Sequence, residues 1–238
     1  MLSKFTNFAC VAIDLAGHGK SMHRSDDAHY HLTDYVYDIH QLLLEQKWTK
    51  VNLIGHSLGG IICSIYAASF PEHVNKLICI ETCGPLCEKE NTTVAQLKAS
   101  MQSRERAKGD IKHPDSLQSL VSARTRISDL SEQNAALILE RNLRLADNRL
   151  KWRTDKRLRT KSAIRLTHAQ AMNVIENILC PTYVILGNSG FEKVKLLCEQ
   201  RAGKFKNVSI SEFKGGHHVH MEAVDEIADY IQALVSID

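Results

Sequence analysis

The sequence predicts an α/β fold, a mostly parallel sheet with helices on both faces, interrupted by an all-helical insertion. Three observations predict it. Short apolar runs alternate with helix-period segments towards both ends of the chain. Gly55-His56-Ser57-Leu58-Gly59 falls between one such run and an apolar helix, and residues 85–177 contain no convincing strand.

In chain order, residues 8–14 form a continuous apolar run ending at Ala16-Gly17-His18-Gly19, as a strand buried on both faces would. Thr33 and Asp34 then suit the N-terminal cap of a helix carried by Val36, Ile39, Leu42 and Leu43. Residues 50–54 read as a second buried strand, which runs directly into the glycine turn and an apolar helix over 61–70. A third strand follows at 76–80, with a fourth and fifth at 181–186 and 208–213, separated by a helix over 192–201; a last helix over 222–234 closes the chain. The strandless stretch reads as short amphipathic helices over 94–101, 117–124, 135–145 and 168–175. Residues 1–84 and 178–238 are therefore expected to form one core, and 85–177 a helical cap over the C-terminal edge of the sheet.

With 238 residues, 44% hydrophobic and 24% charged, the chain is long enough for one sizeable core. Its longest apolar stretches, such as 61–70, fall far short of the roughly 20 residues a membrane span needs. The first eight residues carry one lysine and no signal-like apolar run, and the final Val235-Ser236-Ile237-Asp238 matches no common address, which points to the cytoplasm. Seven cysteines, an odd count spread through expected strands and helices, read as reduced thiols. A net charge of +3 with no zinc-finger, RNA-binding or phosphate-loop pattern argues against a nucleic-acid partner.

The chemistry is concentrated in three places. Gly-x-Ser-x-Gly between a strand and a helix forces its central residue into a strained turn, so Ser57 projects freely and the N–H of Leu58 faces a developing oxyanion. A serine hydroxyl is a weak nucleophile and needs a base. His217, in Gly215-Gly216-His217-His218-Val219-His220 after the last strand, is expected at the same sheet edge. The base in turn needs a carboxylate to orient it. The turn after the fourth strand, Gly187-Asn188-Ser189-Gly190, has none, so Glu81 at the end of the third strand is preferred and Asp14 is the alternative. His56 and Trp152 are expected substrate contacts, although Trp152 also suits an anchoring role. From Arg141 to Arg165 there are ten Lys or Arg against Asp147 and Asp155, a net of +8 that suits either attraction of an acidic substrate or a solvated helical face.

Asp14-Leu-Ala-Gly-His-Gly-Lys-Ser21, Gly55-His-Ser-Leu-Gly-Gly60 and Gly216-His217 resemble the α/β-hydrolase superfamily. Trp152-Arg-Thr-Asp-Lys-Arg-Leu158 and Gly216-His-His-Val-His-Met221 are similar to its serine hydrolase-like, kraken-type branch. The resemblance implies a serine hydrolase that cleaves an ester or related acyl bond of a small molecule, with no cofactor. It also implies that the acid usually sits where this chain has Gly190, with some members placing it after the preceding strand, at Glu81. By the same resemblance the chain starts at the family's fourth strand and lacks the segment that gives the second oxyanion donor. The expectation is a truncated form, poorly soluble and weakly active or inactive, with a gap or forced pairing beside 50–54. The alternative function is a non-catalytic binding module on the same fold.

Overall fold

The structure, a computed structural model, describes residues 1–109 and 111–236; Ile237 and Asp238 of the C-terminal tetrapeptide lie outside them. In chain order the elements are α1 (Leu32–Glu45), β1 (Val51–His56), α2 (Leu58–Ser69), β2 (Val74–Ile80), α3 (Thr93–Arg106), α4 (Leu117–Thr125), α5 (Glu132–Arg141), β3 (Leu143–Ala146) and β4 (Arg149–Trp152). There follow α6 (His168–Glu176), β5 (Thr182–Gly187), α7 (Glu192–Arg201), β6 (Val208–Phe213), α8 (Val219–Glu222) and α9 (Val224–Ser236). The chain divides into two compact units, one of residues 1–10, 32–90 and 165–238, the other of 11–31 and 91–164.

The first unit holds a four-stranded sheet in the order β1-β2-β5-β6, parallel throughout. A parallel strand buried on both faces needs apolar side chains at successive positions, not alternate ones. Leu77, Ile78, Cys79 and Ile80 in β2 supply them, each at most 1% exposed. Ile78 and Ile80 pack with Ile185, Val219, Ile227, Ala228 and Ile231, so α9 covers one face. On the other, Ser64 of α2 meets Cys79 at 3.5 Å. Each buried isoleucine contributes about 1.5–3 kcal/mol, so this double layer is the main stabilising element of the unit. Four parallel strands also bring their C-terminal ends to one edge, where the segments carrying Ser57, Glu81, Gly187–Phe191 and His217 emerge.

The second unit corrects the all-helical expectation. β3 and β4 form an antiparallel hairpin, Leu143 opposite Trp152 and Ala146 opposite Arg149. The helix expected over 135–145 ends at Arg141 because the chain turns back at Asp147-Asn148, with φ of 53° and 55°. Two successive positive φ values define the tight turn whose twist matches a two-residue hairpin. The Asp-Asn pair between two four-residue segments was the available signal.

Residues 8–14 are not a strand. Val11 and Ile13 are 58% and 43% exposed, and no strand pairs with this segment among the described residues. An apolar run becomes a strand only if a neighbour takes its N–H and C=O groups. β1 correspondingly has β2 as its single partner among the described residues and lies at the sheet edge. Residues 11–31 instead join the second unit, where Asp14 receives Arg141 at 2.7 Å and Tyr30 donates to Asp155 at 2.7 Å. In the other direction, α6 belongs to the sheet unit, with Ala171 and Ile175 fully buried. Finally, α1 starts at Leu32, so Thr33 and Asp34 lie in its first turn and do not cap it. No described helix is long and apolar enough to cross a membrane.

Candidate active site

Ser57 stands between β1 and α2 with φ 49° and ψ −114°, a conformation that side-chain-bearing residues rarely adopt. Such strain costs of order 1–3 kcal/mol and persists where the surroundings hold it. Here its N–H donates to Ile80 O at 2.9 Å, and its carbonyl accepts from Ile61 N–H at 3.1 Å. Its hydroxyl makes no cap bond to α2. The glycines on either side are not equivalent. A Cβ on Gly55 would lie 2.4 Å from the Gly59 carbonyl carbon, and one on Gly60 2.2 Å from Thr82 Cγ2, whereas one on Gly59 would meet nothing within 4 Å. The tight pair is therefore Gly55 and Gly60, while Gly59 has room for a side chain. Leu58 opens α2, so its N–H belongs to the first turn, whose amides have no intrahelical acceptor and carry the positive end of the helix dipole.

His217 lies in the segment after β6, buried at 9% exposure. Its neighbours fix it from several sides. Gly216 N–H is shared between the two carboxylate oxygens of Glu222, at 3.2 and 3.3 Å. His56 Nε2–H donates to the His217 carbonyl at 2.8 Å, and the ring of Phe191 stacks on the imidazole at 4.2 Å between centroids. Backbone approach at Gly187 completes the frame, since a Cβ there would fall 2.3 Å from Gly216 O.

Glu81 Oε2 faces His217 Nδ1 at 3.2 Å. The carboxylate is almost fully buried and accepts Gly187 N–H at 2.7 Å and Phe191 N–H, at the N-terminus of α7, at 3.4 Å. Burial pushes its pKa up, but the hydrogen bonds from His217, Gly187 and Phe191 outweigh that and hold it below the usual carboxylate value. A Cβ on Gly190 would lie 2.3 Å from Glu81 Oε1. The carboxylate from β2 thus occupies the space that a side chain at 190 would enter. Asp14, the alternative acid, is held in the second unit by Arg141 and Lys20 N–H.

Ser57, Glu81 and His217 all line a cavity of about 410 Å³, with Ile61, Leu86, Phe191 and Val194 as apolar walls. The two expected substrate contacts have other partners. His56 gives its Nε2–H to the His217 backbone and packs among the rings of His217, His218 and His220; burial pushes its pKa down to about 4, so it stays neutral near pH 7. Trp152, in β4, donates its indole N–H to Lys112 O at 3.2 Å and lies under the Arg159 guanidinium, 5.6 Å from the ring centroid. The stacking of Phe191 on His217 and the hold of Glu222 on Gly216 N–H are not among the sequence expectations. An aromatic directly after the usual acid turn, and an acid six residues after the glycine that it holds, were the signals available.

A family model described as alpha/beta hydrolase fold matches residues 2–224. The chain belongs to the α/β-hydrolase family. A serine hydrolase-like protein of Danio rerio is 27% identical over 237 residues, covering 93% of this chain and 73% of its own length. A probable serine hydrolase of Drosophila melanogaster is 30% identical over 241 residues, covering 93% and 71%. Among solved structures, a hypothetical protein from Pseudomonas aeruginosa has a TM-score of 0.86 at 28% identity, covering 94% of this chain and 80% of that one. The family match and the Danio rerio and Drosophila melanogaster relatives place this chain with the serine hydrolase-like branch of the α/β-hydrolase family and support hydrolase activity in the broad sense.

Proposed function

We propose that Ser57, His217 and Glu81 act as nucleophile, general base and orienting acid in hydrolysis of an ester or related acyl bond of a small molecule. The contact of Glu81 with His217 Nδ1, in a cavity that Ser57 also lines, is the observation that supports this reading. With Nδ1–H directed at the carboxylate, Nε2 is left with the lone pair that a base requires. Ser57 Oγ attacks the carbonyl carbon as Nε2 takes its proton. The oxygen that becomes negative is met by the Leu58 N–H and the positive end of α2. His217 then returns the proton to the leaving alkoxide, and water repeats the sequence on the acyl-enzyme. None of these steps calls for a cofactor.

The test is covalent labelling of the full chain with a fluorophosphonate, followed by mass spectrometry. The expected adduct is on Ser57, absent from Ser57→Ala and weakened in Glu81→Ala. The assignment of the acid has its own test in p-nitrophenyl acetate hydrolysis. Because the Gly190 Cβ position abuts the Glu81 carboxylate, Gly190→Asp is expected to restore turnover to Glu81→Ala. Labelling elsewhere, or turnover by Ser57→Ala above one-hundredth of wild type against an expected loss of about 10⁶, would remove Ser57 from the role.

A further inference from the structure

Glu81 sits on strained backbone, with φ 52°, in the left-handed region that a residue with a side chain adopts only when its surroundings impose it. On the side before it the restraint is plain, since its own N–H donates to Ile185 O at 2.8 Å. On the side after it, Thr82, Cys83, Gly84 and Pro85 run buried outside any helix or strand. Buried carbonyls in such a segment need donors that no regular ladder provides. They come from Arg201, the last residue of α7. Its Nη1 donates to both Cys83 O and Pro85 O at 2.8 Å, and its Nη2 to Cys87 Sγ at 3.5 Å. Gly84, at φ 76°, makes the bend between the two carbonyls that share Nη1.

This guanidinium is 1% exposed, and its Nε has no hydrogen-bond partner among the described residues. Burying a cation against neutral carbonyls is costly, and an apolar side chain would fill the same volume more cheaply. What an apolar side chain lacks is the planar fork of donors that holds several acceptors in one geometry. The arrangement therefore makes sense if the placement of residues 82–87 matters more than the packing.

We infer that Arg201 is a positioning residue for Glu81, pinning the segment that follows the strained residue so that its carboxylate stays against His217 Nδ1. The inference rests on the reading of Ser57, His217 and Glu81 as a triad. α7 then grips the acid at two points. Its N-cap, Phe191, gives an N–H to the carboxylate, and its last residue holds the backbone beyond it. Gly190, by contrast, belongs to the turn after β5, which is held by Gly190 N–H to Gly187 O, Ser189 N–H to Gly215 O, Asn188 N–H to Phe213 O and Lys195 Nζ to Asn188 O; Arg201 makes none of these bonds.

That difference supplies the experiment. Arg201→Lys and Arg201→Met are made in the full chain with the acid at 81, and again in the Glu81→Ala/Gly190→Asp chain. Ester hydrolysis is measured in all of them, with thermal unfolding alongside, and proton NMR is used to follow the low-field Nδ1–H signal of a carboxylate-bound imidazole. With the acid at 81, a displaced carboxylate is expected to lower kcat by about 10²-fold, with KM little changed, and to abolish the low-field signal. With the acid at 190, the same substitutions should change kcat by less than about twofold, as for independent sites. Equal losses in both backgrounds would make Arg201 a structural residue only and overturn the inference. So would a low-field signal that survives in Arg201→Lys, the variant that keeps the charge if Arg201→Met fails to fold. If the relocated acid restores no turnover, the signal in Arg201→Lys decides alone: lost with thermal stability kept, the inference stands; retained, it falls. Failure of the triad reading is separate, because Ser57→Ala would then turn over like wild type whatever the signal does.

Discussion

The two units of this chain are held together by different physics. In the sheet unit Leu77, Ile78, Ile185, Ile227 and Ile231 have no exposed surface, and cohesion comes from apolar area that has no preferred direction. In the second unit Ser100, Ser103 and Asp155 are among the buried residues, and directional bonds carry much of the order. Ser100 donates to Lys161 O at 2.9 Å, while Asp155 accepts Arg157 and Tyr30 at 2.7 Å each. The comparison explains the fate of the basic run. Arg141 pairs with Asp14, Lys151 with Asp147 and Arg157 with Asp155; Arg153 donates to Leu143 O, Lys156 to Lys108 O and Gly109 O, and Arg159 covers Trp152. Six of the ten basic side chains of the run thus have partners within their own unit. A unit in which few large aliphatic side chains are buried, Val121, Leu130, Leu139 and Leu143 among them, uses charge for cohesion that the sheet unit obtains from isoleucine.

If this division holds, substitutions in the sheet edge should alter chemistry without stability, and those in the cores should do the reverse. The largest effect is expected for Ser57→Ala, a loss of about 10⁶ in kcat with the thermal midpoint unmoved; a drop in that midpoint would blur the division. Glu81→Gln, which leaves the shape but not the charge beside His217, should lower kcat by about 10⁴.

Asp155→Ala strands Arg157 among carbonyls and should destabilise by about 3–5 kcal/mol, read by urea denaturation. Burial pushes the Asp155 carboxyl up, but Arg157 and Tyr30 more than offset it and bring the folded pKa down to about 2 from 3.8. A folded pKa below the unfolded one gives stability that is full above about pH 4 and is lost as pH falls towards 2. Wild type should show that loss, and Asp155→Ala should lack this part of it. Ile78→Ala should cost a similar 2–5 kcal/mol, with no such pH dependence of its own. If the Ile78 and Asp155 variants respond alike to acid, the contrast between the units is wrong.

The smallest effect sharpens the picture of the turn. Gly59→Ala has open space at its Cβ and should stabilise α2 by about 0.5–1 kcal/mol. Gly60→Ala, with Thr82 Cγ2 in the way, should destabilise and lower activity. A reversed order, measured by thermal unfolding, would mean that the turn is not packed as described.

What the sequence determined by itself is whatever local pattern encodes. The β1–turn–α2 unit, the span of α7 and the position of β6 follow from apolar runs, glycines and helical period, which any segment carries with it. The placement of Ser57 on a strained turn was legible for the same reason. Tertiary structure decided the rest. Residues 8–14 have the composition of a strand, but strand pairing is a property of two segments, and no partner lies beside this one among the described residues. Gly59 and Gly60 are indistinguishable as letters, and only the approach of Thr82 separates them. Glu81 and His217 are 136 residues apart, and the carboxylate that meets Nδ1 is fixed by the order of parallel strands and the depth of burial, not by spacing along the chain. Arg201 reads in sequence as an ordinary basic residue at a helix end. Its buried fork on Cys83 and Pro85 exists because β5 and α7 pack beside the end of β2, a relation that no local pattern records.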